Sequence, residues 1–138
     1  MVGVDLVDVK RLQRVVDRTP RILHRVFTEQ ELHYCFSQKN PYPSLAARFA
    51  AKEAVKKLIP ACAARICFKN TEIVRDAYGG PQIVLHGNTR ELFRQNSITA
   101  LTVSLSHTEY QAIAVVTAVK GSDGDENSQC PGNEDNRQ

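Results

Sequence analysis

The chain has 138 residues, a size usual for one domain, with 42% hydrophobic residues, four cysteines and a net charge of +3. No apolar run reaches the length that spans a bilayer, and the start lacks the charged and apolar regions of a secretory leader, so a cytoplasmic protein is expected, with no membrane partner. Cys35, Cys62, Cys67 and Cys130 form no C-x-x-C pair and match no zinc or haem spacing, which argues for reduced thiols rather than a disulfide framework.

In chain order, residues 1–7 read as a strand in which Val2, Val4 and Leu6 share one side and Gly3, Asp5 and Val7 the other. Asp8 is placed to cap a helix running to Arg18, with Val9, Leu12 and Val16 as its apolar stripe and Lys10, Arg14 and Arg18 as a basic ridge. Pro20 can begin a short helix through Phe27, and Thr28-Glu-Gln-Glu31 fits a capping box for a helix ending near Ser37. SQKNPYPS reads as a loop, and SLAARFAAKEAVKKLI as the strongest helix, stopped by Pro60. Along it, Glu53 and Lys57 are four residues apart and can pair. ICFKNTEIVRD and PQIVLHG flank AYGG as a hairpin, and residues 88–96 suit a helix. TALTVSLSH and AIAVVTAV are then strands joined at HTEY. The last is apolar on both parities, as expected of a central strand or a subunit contact. The resulting fold class is α+β, helices on an antiparallel sheet in a single domain over 1–120.

From Gly121 the composition changes. Of 18 Lys/Arg and 15 Asp/Glu in the chain, residues 121–138 hold one and five, leaving 17 bases against 10 acids before them. An acidic, disordered tail is expected there. The bases concentrate over residues 10–25, where Lys10, Arg11, Arg14, Arg18, Arg21 and Arg25 face only Asp17. Such a patch attracts anionic partners. A non-catalytic module binding RNA or an acidic protein is one reading of it. Nucleic acid is disfavoured, because the five Phe and four Tyr do not cluster with the bases as stacking platforms do.

Asp5 and Glu53 are the acids least suited to their surroundings, one inside a strand and one among alanines. Brought together, two carboxylates repel unless a cation lies between them, and oxygen ligands of this kind suit Mg²⁺. The plainer alternative pairs Glu53 with Lys57 and Asp5 with an arginine. Arg48, Lys52 and Lys57 are cations on the glutamate's helix, placed to neutralise phosphates around a metal, and His107 ends a strand where a phosphate donor would be useful.

The segments GVDLVDVKRL, RVFTEQEL, LAARFAAKEAVKK and VSLSHTEYQAIAVV, in this order, resemble the holo-acyl-carrier-protein synthase family, the short single-domain type of 4′-phosphopantetheinyl transferase. The resemblance covers residues 2 to about 119. It implies the 4′-phosphopantetheinyl transferase fold and a Mg²⁺-dependent transfer of phosphopantetheine from coenzyme A to a serine of an acyl carrier protein, releasing 3′,5′-ADP. It further implies that Asp5 and Glu53 bind the metal and that Lys57 lies near the pyrophosphate. Arg48 and His107 would face the 3′-phosphoadenosine end, and Lys10, Arg11, Arg14 and Arg18 the acidic carrier. A homotrimer with sites between subunits is implied as well. One segment departs from the family pattern: where a glycine-containing loop usually follows the glutamate helix, this chain has LIPACAARICF, with no glycine.

Overall fold

A computed structural model of the protein describes residues 1–121, and the acidic segment expected over 121–138 lies outside them except for Gly121. The elements run β1 (Val2–Asp8), α1 (Val9–Arg18), α2 (Ile22–Val26), α3 (Glu29–Phe36), α4 (Tyr42–Lys56), a 3₁₀ helix (Pro60–Arg65), β2 (Thr71–Arg75), β3 (Pro81–Leu85), α5 (Gly87–Gln95), β4 (Ile98–His107) and β5 (Gln111–Lys120). The class is α+β as expected, but the strands divide into two sheets. β1, β5 and β4 form an antiparallel sheet in that order, and β2–β3 stand apart as a hairpin.

Local chemistry explains the boundaries. Asp8 caps α1, its carboxylate accepting from the Arg11 N–H at 2.8 Å. Thr28 and Glu31 form the expected capping box at α3. α4 starts at Tyr42, inside the segment read as a loop, because Pro43 falls in the first turn, where a missing N–H costs no helical bond. The strand expected from residue 66 begins only at Thr71. The Phe68 and Thr71 carbonyls both accept from the Lys52 ammonium, at 2.8 and 2.6 Å, which turns this stretch inward and out of the ladder.

α4 is the central element. Its alanines, Ala50, Ala51 and Ala54, are fully buried against Ala114, Val116 and Ala118 of β5 and against Leu92 and Phe93 of α5. Small side chains allow the helix axis to lie close to the sheet. On the other side of the fold, Val9, Leu12 and Val16 of α1 pack with Val26, Phe27, Leu32 and Leu45 in a second cluster. No helix of the described residues is long and apolar enough to cross a membrane.

Candidate active site

The sheet's inner face sets the position of Asp5. β1 alternates as read, but the apolar parity, Val2, Val4 and Leu6, faces outward, and Gly3, Asp5 and Val7 face α4. A Cβ on Gly3 would lie 2.1 Å from the Ala54 carbonyl oxygen, so only glycine lets β1 approach α4 this closely. Asp5 follows two residues later on the same face, with its side chain 19% exposed. Its partner is Lys57, whose ammonium donates to Asp5 Oδ1 at 3.0 Å and to the Val4 carbonyl at 2.8 Å. The Glu53–Lys57 pairing expected from i, i+4 spacing is therefore not formed, and Asp5 meets a lysine rather than an arginine.

Glu53 is half-buried, and its carboxylate makes no hydrogen bond or ion pair with any described residue. It lines one cleft with Asp5. This cleft, of about 480 Å³, runs between β1, α1, α2 and α4, and its walls are mainly apolar: Leu12, Val15, Val16, Ile22, Phe27 and Phe49. Asp8, Arg11 and Gln111 complete its polar lining. Among the described residues no three His, Cys, Asp or Glu gather into a cage for a metal. Two carboxylates on one cleft wall, one of them unpartnered, fit instead the open manner of Mg²⁺ binding, in which water and substrate phosphates supply the remaining oxygens.

The other candidate cations separate by helix face. Lys52 does not reach the cleft. It is fully buried and bonded to Glu31 Oε1 at 2.8 Å, which corrects its reading as a phosphate-neutralising charge. Burial pushes the pKa of its ammonium down, and Glu31 pushes back up. Arg48 points the same way. It is 6% exposed, lies over the Tyr34 ring at 4.3 Å, and keeps a buried Nε without a partner. It lines a separate pocket of about 220 Å³ with Tyr34, Ile73 and Arg75. His107 is exposed at the end of β4, its backbone paired with Ala112 and its ring without a hydrogen bond to a described residue. Within one chain, then, Asp5 and Glu53 line one cleft and Lys57 is paired with Asp5, whereas Lys57, Arg48 and His107 are not among the residues that line it. Cys35 is excluded as a nucleophile at neutral pH, because burial pushes its thiol up to about 11.

Lys10, Arg11, Arg14 and Arg18 are all exposed on α1, while Val9, Leu12 and Val16 are buried beneath them. Arg11 also lines the cleft, so the ridge reaches the carboxylate pair. β5 is the central strand, and its outward Ile113, Val115 and Val119, beside Thr117, form with Val2, Val4 and Leu6 of β1 an exposed apolar strip, flanked by the outward Thr102, Ser104 and Ser106 of β4.

Residues 1–115 match the sequence model of the 4′-phosphopantetheinyl transferase superfamily. The holo-[acyl-carrier-protein] synthase of Moorella thermoacetica is 44% identical over 113 residues, which cover 82% of this chain and 88% of that protein. The crystal structure of the Neisseria meningitidis holo-[acyl-carrier-protein] synthase superposes with a TM-score of 0.76 at 29% identity, covering 86% of this chain and 97% of that one. The Helicobacter pylori enzyme, solved in complex with coenzyme A, gives 0.75 at 29% identity, covering 86% and 100%. The chain belongs to the 4′-phosphopantetheinyl transferase superfamily and has the α+β fold of its holo-[acyl-carrier-protein] synthases.

Proposed function

We propose that the protein is a cytoplasmic holo-[acyl-carrier-protein] synthase, transferring 4′-phosphopantetheine from coenzyme A to a serine of an acidic acyl carrier protein and releasing 3′,5′-ADP. One observation carries the site assignment: Asp5 and Glu53, far apart in sequence, line a single cleft bordered by the basic helix α1. Coenzyme A and the carrier come to this chain from the names of its relatives. Asp5 and Glu53 are the residues that would hold Mg²⁺. When bound, the metal offsets the charge that develops on phosphate oxygens as the phosphoanhydride breaks. Lys57, held against Asp5, would add a positive charge beside one of the two carboxylates. With substrate seated, the apolar walls would limit the access of water that could hydrolyse the transferred group. The test is mass spectrometry of an apo carrier protein incubated with coenzyme A, Mg²⁺ and the enzyme. A phosphopantetheine mass increment on the serine is expected, and no increment on any acidic carrier favours the non-catalytic binding module.

The basic ridge would be the carrier-docking surface. Arg14 is exposed and does not line the cleft, so Arg14→Glu should leave the fold intact. It should raise KM for the carrier by roughly three- to tenfold and leave that for coenzyme A unchanged; the loss should shrink as salt screens the charge. Steady-state kinetics at two ionic strengths checks this, and equal losses for both substrates would move the ridge into the nucleotide site.

The outer sheet face would be the contact of a homotrimer. Large contiguous apolar patches are uncommon on monomers. A neighbouring copy at this face would also explain why Arg48 and His107, proposed for the 3′-phosphoadenosine end, lie outside the cleft of one chain. Val115→Asp, opposite Val4 at the centre of this face, should yield monomers with little activity in sedimentation and turnover assays. A stable, fully active monomer of the unaltered protein would contradict the assembly.

A further inference from the structure

We propose that Gly3 is a positioning residue that fixes the spacing of the Asp5–Glu53 pair and, through it, the preference for a small divalent cation over a larger one. The inference rests on the assignment of this pair as the metal ligands. Gly3 sits in β1 without a left-handed φ, so the strand conformation itself does not call for glycine. Proximity does. The Cβ of any other residue would meet the Ala54 carbonyl oxygen at 2.1 Å and its carbon at 3.0 Å. Both are backbone atoms of a buried helix, so no side-chain rotation relieves the contact.

The contact joins the backbone segments that carry the two carboxylates. Ala54 directly follows Glu53, and Gly3 precedes Asp5 by two residues on the same strand face. Lys57, one helical turn after Glu53, ties the same strand to α4 through the Val4 carbonyl and Asp5. β1 is thus pressed against α4 at one point and hooked to it at the next. Moving the strand outward carries Asp5 away from Glu53 and leaves each carboxylate on its own element. A Cβ at position 3 requires separation by on the order of 1 Å, since close-packed interiors do not tolerate such an overlap. Mg²⁺ demands near-octahedral oxygens at about 2.0–2.1 Å, whereas Ca²⁺ accepts about 2.3–2.6 Å in flexible geometry. A widened pair therefore penalises Mg²⁺ far more than Ca²⁺.

The experiment titrates Mg²⁺ and Ca²⁺ by calorimetry into the full-length protein with coenzyme A present and carrier protein absent, so that binding is read without turnover. Circular dichroism reports the fold. Gly3→Ala should weaken Mg²⁺ at least tenfold and Ca²⁺ less than threefold. Adding Asp5→Glu to that variant should recover much of the Mg²⁺ affinity by lengthening the displaced ligand. A folded Gly3→Ala protein with an unchanged Mg²⁺/Ca²⁺ ratio would overturn the proposal. Should Gly3→Ala fail to fold, Asp5→Glu alone decides the matter. It extends the ligand by one methylene from an unmoved strand and reaches solvent, and it should change the ratio at least fivefold; an unchanged ratio overturns the proposal. If the unaltered protein binds neither ion, the metal assignment fails first and the positioning role falls with it.

Discussion

Glu53→Gln should lower turnover at least a hundredfold, about 2.7 kcal/mol of transition-state stabilisation, while the melting temperature stays nearly unchanged. The substitution keeps size and removes one ligand charge. Stability should survive because Glu53 has no hydrogen bond or ion pair with the described residues to lose, and because it lines the cleft rather than the core. Removing its charge also relieves the repulsion from Asp5 in the metal-free protein. Turnover with coenzyme A and apo carrier, beside a thermal melt, separates the two effects. Full activity would remove Glu53 from the metal site, and a melt that falls with activity would make its role structural.

Lys52→Ala should do the reverse, destabilising the protein by about 3–5 kcal/mol, because it strands a buried carboxylate. Lys52 and Glu31 are both fully buried. The ammonium donates to Glu31, Phe68 and Thr71, and Glu31 also accepts from the backbone N–H groups of Thr28 and Ile73, at 2.9 and 3.1 Å. This network joins α3, α4, the segment after the 3₁₀ helix and β2. With the lysine gone, Glu31 keeps two N–H donors but no counter-charge, and two carbonyls lose their donor. Denaturant unfolding measures the loss, and a change below about 1 kcal/mol would show that water or a rearranged side chain replaces the ammonium. Pairing Lys52→Met with Glu31→Leu should recover a large part of the stability, since the charge is then absent from both sides.

The elements were mostly legible in the sequence because their signals are local: the Asp8 and Thr28 caps, the period of α1, the glycine turn of the hairpin. Others were not, and one legible signal went unused. The start of β2 was set by Lys52 drawing in two carbonyls, an interaction across 16 and 19 residues with no local trace. The partner of Lys57 is not the Glu53 that i, i+4 spacing allows, because β1 passes nearer and presents both a carboxylate and a carbonyl. Arg48 and Lys52 were grouped with Lys57 although a helical wheel separates them. Four residues advance about 40° beyond a full turn, so Arg48 and Lys52 share the side of Leu45 and Val55, both buried, while Glu53 and Lys57 share another. That wheel was available from the sequence alone. The meeting of Asp5 with Glu53 was not, since neither position points locally to the other, and only the family resemblance joined them. The signal for Gly3 was present but silent: a glycine inside a strand marks a close backbone approach without saying to what.

The central claim, that Asp5 and Glu53 together hold the metal where coenzyme A is cleaved, is tested most directly by crystals of the protein grown with coenzyme A and Mn²⁺ in place of Mg²⁺. Anomalous scattering locates the ion without reference to the ligands built around it. The account predicts one strong peak within bonding distance of both the Asp5 and Glu53 carboxylates and of a pyrophosphate oxygen. A peak elsewhere, or a coenzyme A pyrophosphate bound away from this pair, would contradict it.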